Sequence, residues 1–216
     1  MLSKDAYWHI SSTRNYAHDM SDTPIKVGQK FKANMAVMCR MGFHGSKKLE
    51  DAMYYSSGFF VSIRKLTGSD MKFGGDKVCA TQMEVLAFED CREIFKRVLL
   101  EICLDSIRKY TSITEVVEVA EYLANATLTR SEVTKEAQNE FYKYVKLDYI
   151  FPEYDAQLRR CCGILLAFSS NSSVVFSNTE LLTDLLYSIS LADTLSAIEY
   201  WKHLEQEIFN FVVKRM

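Results

Sequence analysis

Apolar residues along the first 88 positions fall in short alternating or clustered runs broken by turn residues, whereas after Glu89 they recur every three to four positions. The first pattern predicts strands and the second amphipathic helices. Ala6–Ser11 (AYWHIS) is aromatic and β-branched, in the manner of a buried or half-buried strand. A turn-rich stretch bracketed by Asp22–Pro24 and Gly28 follows, then a short strand at Ala36–Cys39 that ends at Gly42. Phe59–Leu66 alternates after its first pair, with Phe59, Val61, Ile63 and Lys65 on one side and Phe60, Ser62, Arg64 and Leu66 on the other. Gly68 and the Gly74–Gly75 pair mark the next loop, and Val78–Phe88 is the last strand. One short helix interrupts this region at Lys47–Tyr55, with the Ser46 hydroxyl placed to cap it.

Beyond Glu89 the capping spacings Asp90-x-x-Glu93, Ser112-x-x-Glu115, Thr129-x-x-Glu132 and Ser177-x-x-Glu180 each precede an amphipathic run. They predict helices near 90–109, 113–126, 130–148, 154–169, 178–189 and 192–214, with Pro152 separating the third from the fourth. Leu181, Leu182, Leu185, Leu186 and Ile189 form one core-facing stripe. Leu195, Ile198, Trp201, Leu204, Ile208, Phe211 and Val212 form another. The expected fold class is therefore α+β: a small β-rich module over 1–88 with one short helix, and an all-α region of about six helices over 89–216.

Composition sharpens that division. Seven of the eight glycines lie in the first 75 residues, and only Gly163 follows. The formal charge of −2 gives no overall field that would favour nucleic acid or an anionic membrane. Six cysteines without a C-x-x-C pair suit buried thiols in a reducing compartment better than a disulfide framework or a metal site. Met1–Asp5 is polar and Tyr7–Ile10 is too short for the apolar core of a signal peptide, so a soluble cytoplasmic protein is expected. No apolar run approaches the roughly 18 residues that span a bilayer.

Candidate chemistry concentrates at Gly42–Tyr55, a turn glycine, an aromatic anchor, a histidine at the loop exit and a helix start at Ser46. In this reading His44 and Ser46 lie near the positive end of the helix dipole, where a phosphate can be received. His18 falls in a polar stretch and His203 on the polar side of the last helix, both solvated. There is no P-loop, Rossmann glycine pattern or Gly-x-Ser-x-Gly elbow.

The run Gly42-Phe43-His44-x-Ser46-x-x-x-x-Asp51-Ala52-x-x-Tyr55, followed by Asp76-Lys77-x-x-Ala80-Thr81-x-x-x-Val85-Leu86, resembles an uncharacterised family of bacteriophages, prophages and bacteria. Members join such a β-rich module to a helical tail. The resemblance covers about residues 25–88, with Gly45 where Ala or Phe is common. It implies a phage-type accessory protein that binds a host protein or a nucleotide signal in the host cytoplasm, with self-association through the helical region as a further expectation.

A more distant similarity is to ADP-ribosyltransferase-like folds. Tyr7-Trp8-His9-Ile10-Ser11-Ser12 is similar to the first strand of the group with a His, Tyr and acidic triad, where the histidine and a following hydroxyl hold the nicotinamide riboside of NAD. Lys26-Val27-Gly28 through Ser46 is similar to that superfamily's glycine and serine passage, with Lys48 at the position of its second serine. Tyr54 or Tyr55 then stands where a stacking tyrosine comes, and Glu84 and Glu89 are the acidic candidates. This similarity implies His9, Tyr55 and Glu84 as the catalytic set, Ser11, His44 and Ser46 as ligand-binding residues, NAD as cofactor and a host macromolecule as substrate.

Overall fold

A computed structural model describes residues 3–12, 24–56, 58–146, 155–170 and 180–214. The fold is α+β, with antiparallel sheets in the first part and helices after them. His18, Pro152 and Ser177 lie outside the described residues. Contacts divide the chain into two compact units. The first comprises Met1–Ile94, Asn178–Thr183 and Trp201–Met216, and the second Phe95–Ser177 and Asp184–Tyr200.

The first unit contains β1 (Ala6–Ser11), β2 (Lys30–Lys32), β3 (Phe43–Gly45), α1 (Leu49–Tyr55), β4 (Phe60–Thr67), β5 (Lys72–Phe73), β6 (Val78–Ala80) and β7 (Gln82–Asp90). They form a sheet of order β1-β4-β7-β2 and a smaller one of order β3-β6-β5, both antiparallel. Tyr7, Phe43, Leu66, Val78, Met83 and Val85 pack into one core.

β4 lies between β1 and β7, so both of its edges are paired, and on its two faces Ser62 and Arg64 are buried along with Val61 and Ile63. Two hydrogen bonds link these polar groups: Arg64 Nε donates to Ser62 Oγ at 2.9 Å, and Ser62 Oγ donates across to the His9 carbonyl of β1 at 3.3 Å.

Three expectations are corrected. Ala36–Cys39 is a turn, not a strand, because Cys39 adopts φ +61° and Val37 and Met41 exchange backbone hydrogen bonds around it. Val78–Phe88 is two strands, broken where Thr81 donates its hydroxyl to Asp70 at 2.6 Å and the chain passes from the small sheet to the large one. Ser46 does not cap α1. The helix begins at Leu49 with Lys48 at its N-cap and no side-chain cap, and Ser46 instead bridges to Trp8.

The C-terminal part of the chain completes this unit. Trp8, fully buried, donates its indole N–H to Glu205 at 2.9 Å and meets Phe209 edge to face at 6.4 Å. Both partners sit on the last helix beside the buried Leu204, Ile208 and Val212.

The remaining helices are α2 (Arg92–Tyr110), α3 (Thr114–Thr129), α4 (Lys135–Lys146), α5 (Asp155–Ser169), α6 (Glu180–Ala192) and α7 (Thr194–Val213). Within the second unit Val98, Leu99, Ile102 and Cys103 of α2, Leu123 of α3, Phe141 of α4 and Leu158, Cys161 and Leu165 of α5 are buried. The helix expected from residue 130 begins only at Lys135. Thr129 ends α3 with its hydroxyl on the Asn125 carbonyl, and Arg130 turns left-handed at φ 57°. Thr134 then takes the capping role, accepting from the Ala137 N–H. Leu195 and Ile198 are exposed rather than core-facing, because α7 starts afresh after Asp193 and Ala197 takes the inward position of its first turn. No helix among the described residues is long and apolar enough to cross a membrane.

Candidate functional site

A cleft of about 420 Å³ opens where the two sheets of the first unit meet. The joint is a backbone bridge: Trp8 N–H donates to the Ser46 carbonyl at 2.8 Å and Ser46 N–H to the Trp8 carbonyl at 2.9 Å. β1 supplies His9 and Ser11, the β3 segment supplies His44 and Ser46, and α1 supplies Tyr55. Cys39 and Lys77 complete the lining relevant to chemistry.

Glycine makes this junction close enough to form. A Cβ on Gly45 would stand 2.6 Å from Tyr7 Cβ, so β3 approaches β1 only without a side chain there. Gly42 has φ +93°, and a Cβ on it would come within 2.8 Å of the Ala80 carbonyl. With that turn made, His44 is buried and its Nε2 accepts the Cys39 N–H at 3.2 Å. The imidazole thus holds the Val37–Met41 turn as well as lining the cleft. Cys79 closes the same turn from below, donating its thiol to the Met41 carbonyl at 2.9 Å, and burial pushes that thiol above its ordinary value.

At the mouth, Tyr55 donates its hydroxyl to Asp76 at 2.6 Å, which holds the proton on the phenol and pushes its pKa up to about 12. The Lys77 ammonium sits over the Tyr55 ring, 4.0 Å from its centroid, and 3.8 Å from Cys39 Sγ. Lys47 makes a superficially similar contact 3.9 Å over Tyr7, but its ammonium also donates to the Lys4 and Ala6 carbonyls. Burial draws its pKa down. Lys47 is spent on fixing the start of β1, while Lys77 faces the cleft.

Five of the six residues singled out from the sequence, His9, Ser11, His44, Ser46 and Tyr55, thus line one cleft. Glu84 does not join them; it lies on β7 opposite Lys65 and Lys30 and pairs with the Lys30 ammonium at 4.0 Å. The phosphate-receiving helix start is also corrected: α1 has seven residues and begins three positions after Ser46, whose backbone is committed to Trp8. In the sequence Asp76 and Lys77 stand out only as part of the Asp-Lys-x-x-Ala motif. The Asp-Lys pair of that motif is the sequence signal for them, while Cys39 carries none, because only the Val37–Met41 turn brings it to the cleft.

The arrangement offers an aromatic face, one ammonium, two imidazoles and two buried hydroxyls in a single concavity. That set can hold a planar ring and an anion together. No group of three His, Cys, Asp or Glu side chains suited to a metal ion occurs among the described residues. Comparisons with family models, with curated proteins and with solved structures find no match to this chain.

Proposed function

We propose that the first unit binds a nucleotide in the cleft between its two sheets, and that the chain is an accessory protein of the phage or prophage type acting on a host protein through that bound state. The observation that carries the reading is the convergence of His9 and Ser11 from β1, His44 and Ser46 from the β3 segment, and Tyr55 from α1. The first two of these stretches are joined by the Trp8–Ser46 bridge, and α1 begins three positions after Ser46. An aromatic that can stack on a base, hydroxyls for the ribose and a cation for the phosphate are the groups a nucleotide requires. Isothermal titration with ATP, NAD and ADP-ribose tests it. Saturable binding that is weakened by His9→Ala supports the reading, and heat traces indistinguishable from buffer for all three ligands overturn it.

A second reading, ADP-ribosyl transfer to a host macromolecule with NAD as donor, draws on the Tyr55–Asp76 hydrogen bond, which sets a carboxylate beside the tyrosine that the similarity assigns to nicotinamide stacking. Such a reaction needs a carboxylate to stabilise the developing oxocarbenium ion or orient the acceptor, and Glu84 is held elsewhere by Lys30. Label transferred from NAD into lysate protein, lost in Asp76→Asn and His9→Ala, supports it. Transfer equal to that of the His9→Ala control excludes it.

A further inference from the structure

Lys77 and Tyr55 occupy each other's binding surfaces. The ammonium that would meet a phosphate lies 4.0 Å above the ring that would meet a base. The ring is held by the hydroxyl bond to Asp76 and by Tyr54, which meets it at 87° with centroids 5.8 Å apart. The described contacts of the Lys77 ammonium are that ring and the Cys39 sulfur, both weak acceptors compared with the carbonyls that fix Lys47. An anion can therefore draw Lys77 away, whereas a neutral ring that displaces it offers the ammonium no charged contact in return.

Resting on the nucleotide-binding reading, we propose that Lys77 is the specificity-determining residue of the cleft. Its departure from Tyr55 couples phosphate recognition to base stacking, so the site takes nucleoside phosphates in preference to nucleosides. A phosphate at Lys77 gains a charge-assisted contact and uncovers the tyrosine face in the same movement. A nucleoside uncovers the face at the cost of the cation–π contact. Inorganic phosphate alone gains the first and leaves the second unused.

Titrations of adenosine, AMP and inorganic phosphate against the full chain, the Lys77→Met variant and the Lys77→Arg variant test this, with circular dichroism as the check on folding. The full chain is expected to bind AMP about tenfold or more tighter than adenosine, the worth of one charge-assisted contact. Lys77→Met is expected to bring AMP to the level of adenosine while adenosine binds as well as before or better, and Lys77→Arg to restore the preference. Equal weakening of AMP and adenosine in Lys77→Met, or no preference for AMP in the full chain, overturns the proposal and leaves nucleotide binding standing. Binding of neither to the full chain overturns both.

Discussion

The two units differ in how far along the chain some of their buried polar groups reach for a partner. In the second unit two of the buried hydroxyls return to their own helix: Thr127 donates to the Leu123 carbonyl and Ser169 to that of Leu166. Its ion pairs, such as Arg108–Glu121 and Arg160–Asp184, stand in solvent, where each contributes little. In the first unit two buried side-chain bonds at β1 join stretches distant in sequence, Trp8 to Glu205 and the Ser62 hydroxyl to the His9 carbonyl. Polarity that closes on its own helix can be carried by any amphipathic sequence. Polarity that spans elements ties the geometry of β1 to strands and helices far along the chain, and β1 is where the cleft begins.

Substitutions can break this contrast. Trp8→Ala removes the largest buried side chain of the first unit along with its bond to Glu205. It is expected to cost about 3–5 kcal/mol in urea denaturation followed by circular dichroism, and to abolish nucleotide binding with it. Leu123→Ala in the buried face of α3 is expected to cost roughly 2–5 kcal/mol in the same measurement. Nucleotide affinity should be unchanged when read well below the transition, and a matching loss of affinity would show that the units do not divide the work as described.

Glu205→Leu keeps the packing volume but leaves the buried indole N–H without its acceptor, at about 1–3 kcal/mol. A result near zero would mean that the last helix is held to β1 by apolar contact alone. The smallest effect belongs to Asp193, whose carboxylate meets the Lys109 ammonium at 2.6 Å and caps α7 through the Ser196 N–H and hydroxyl. The Lys109 bond, followed by those to Ser196, holds this carboxyl far below its ordinary range. A depressed folded value stabilises the fold above the ordinary carboxylate pKa of about 3.9, and the contribution fades as pH falls through the folded value. The stability gap between the protein and Asp193→Asn should therefore be full at neutral pH and close progressively below about pH 4. A gap independent of pH would place the effect in the cap alone.

Much of the fold was legible because its signals are local. β1 was read to the residue, and α2, α3 and α5 to within three residues of their ends, since aromatic, β-branched and 3.6-residue patterns act over a few neighbours. What escaped was decided at a distance. Lys30–Lys32 and Phe43–Gly45 are too short to show a period and are strands only because β7 and β6 lie beside them. Thr129-x-x-Glu132 has the spacing of a capping box, yet the preceding helix claims Thr129 first.

The site divides in the same way. Motif likeness points to His9, Ser11 and Tyr55, and the turn before α1 points to His44 and Ser46, but the helix-dipole role of Ser46 fails because strand pairing with Trp8 outweighs a local cap. Glu84 was chosen as an acidic residue on the last strand, and the register of β7 turns it toward Lys30. Lys77 and Cys39 meet only once the Val37–Met41 turn is formed.

The bond between Trp8 and Glu205 spans 197 positions of sequence. During synthesis at about 5–20 residues per second, the indole of β1 emerges some ten to forty seconds before the carboxylate that receives it. Until then β1 can pair with β4 but cannot bury its largest side chain against its final neighbours. The indole therefore reaches its acceptor only after the helices between have been synthesised. A chain interrupted before the last helix would carry every residue that lines the cleft and still lack the two partners of Trp8, Glu205 and Phe209.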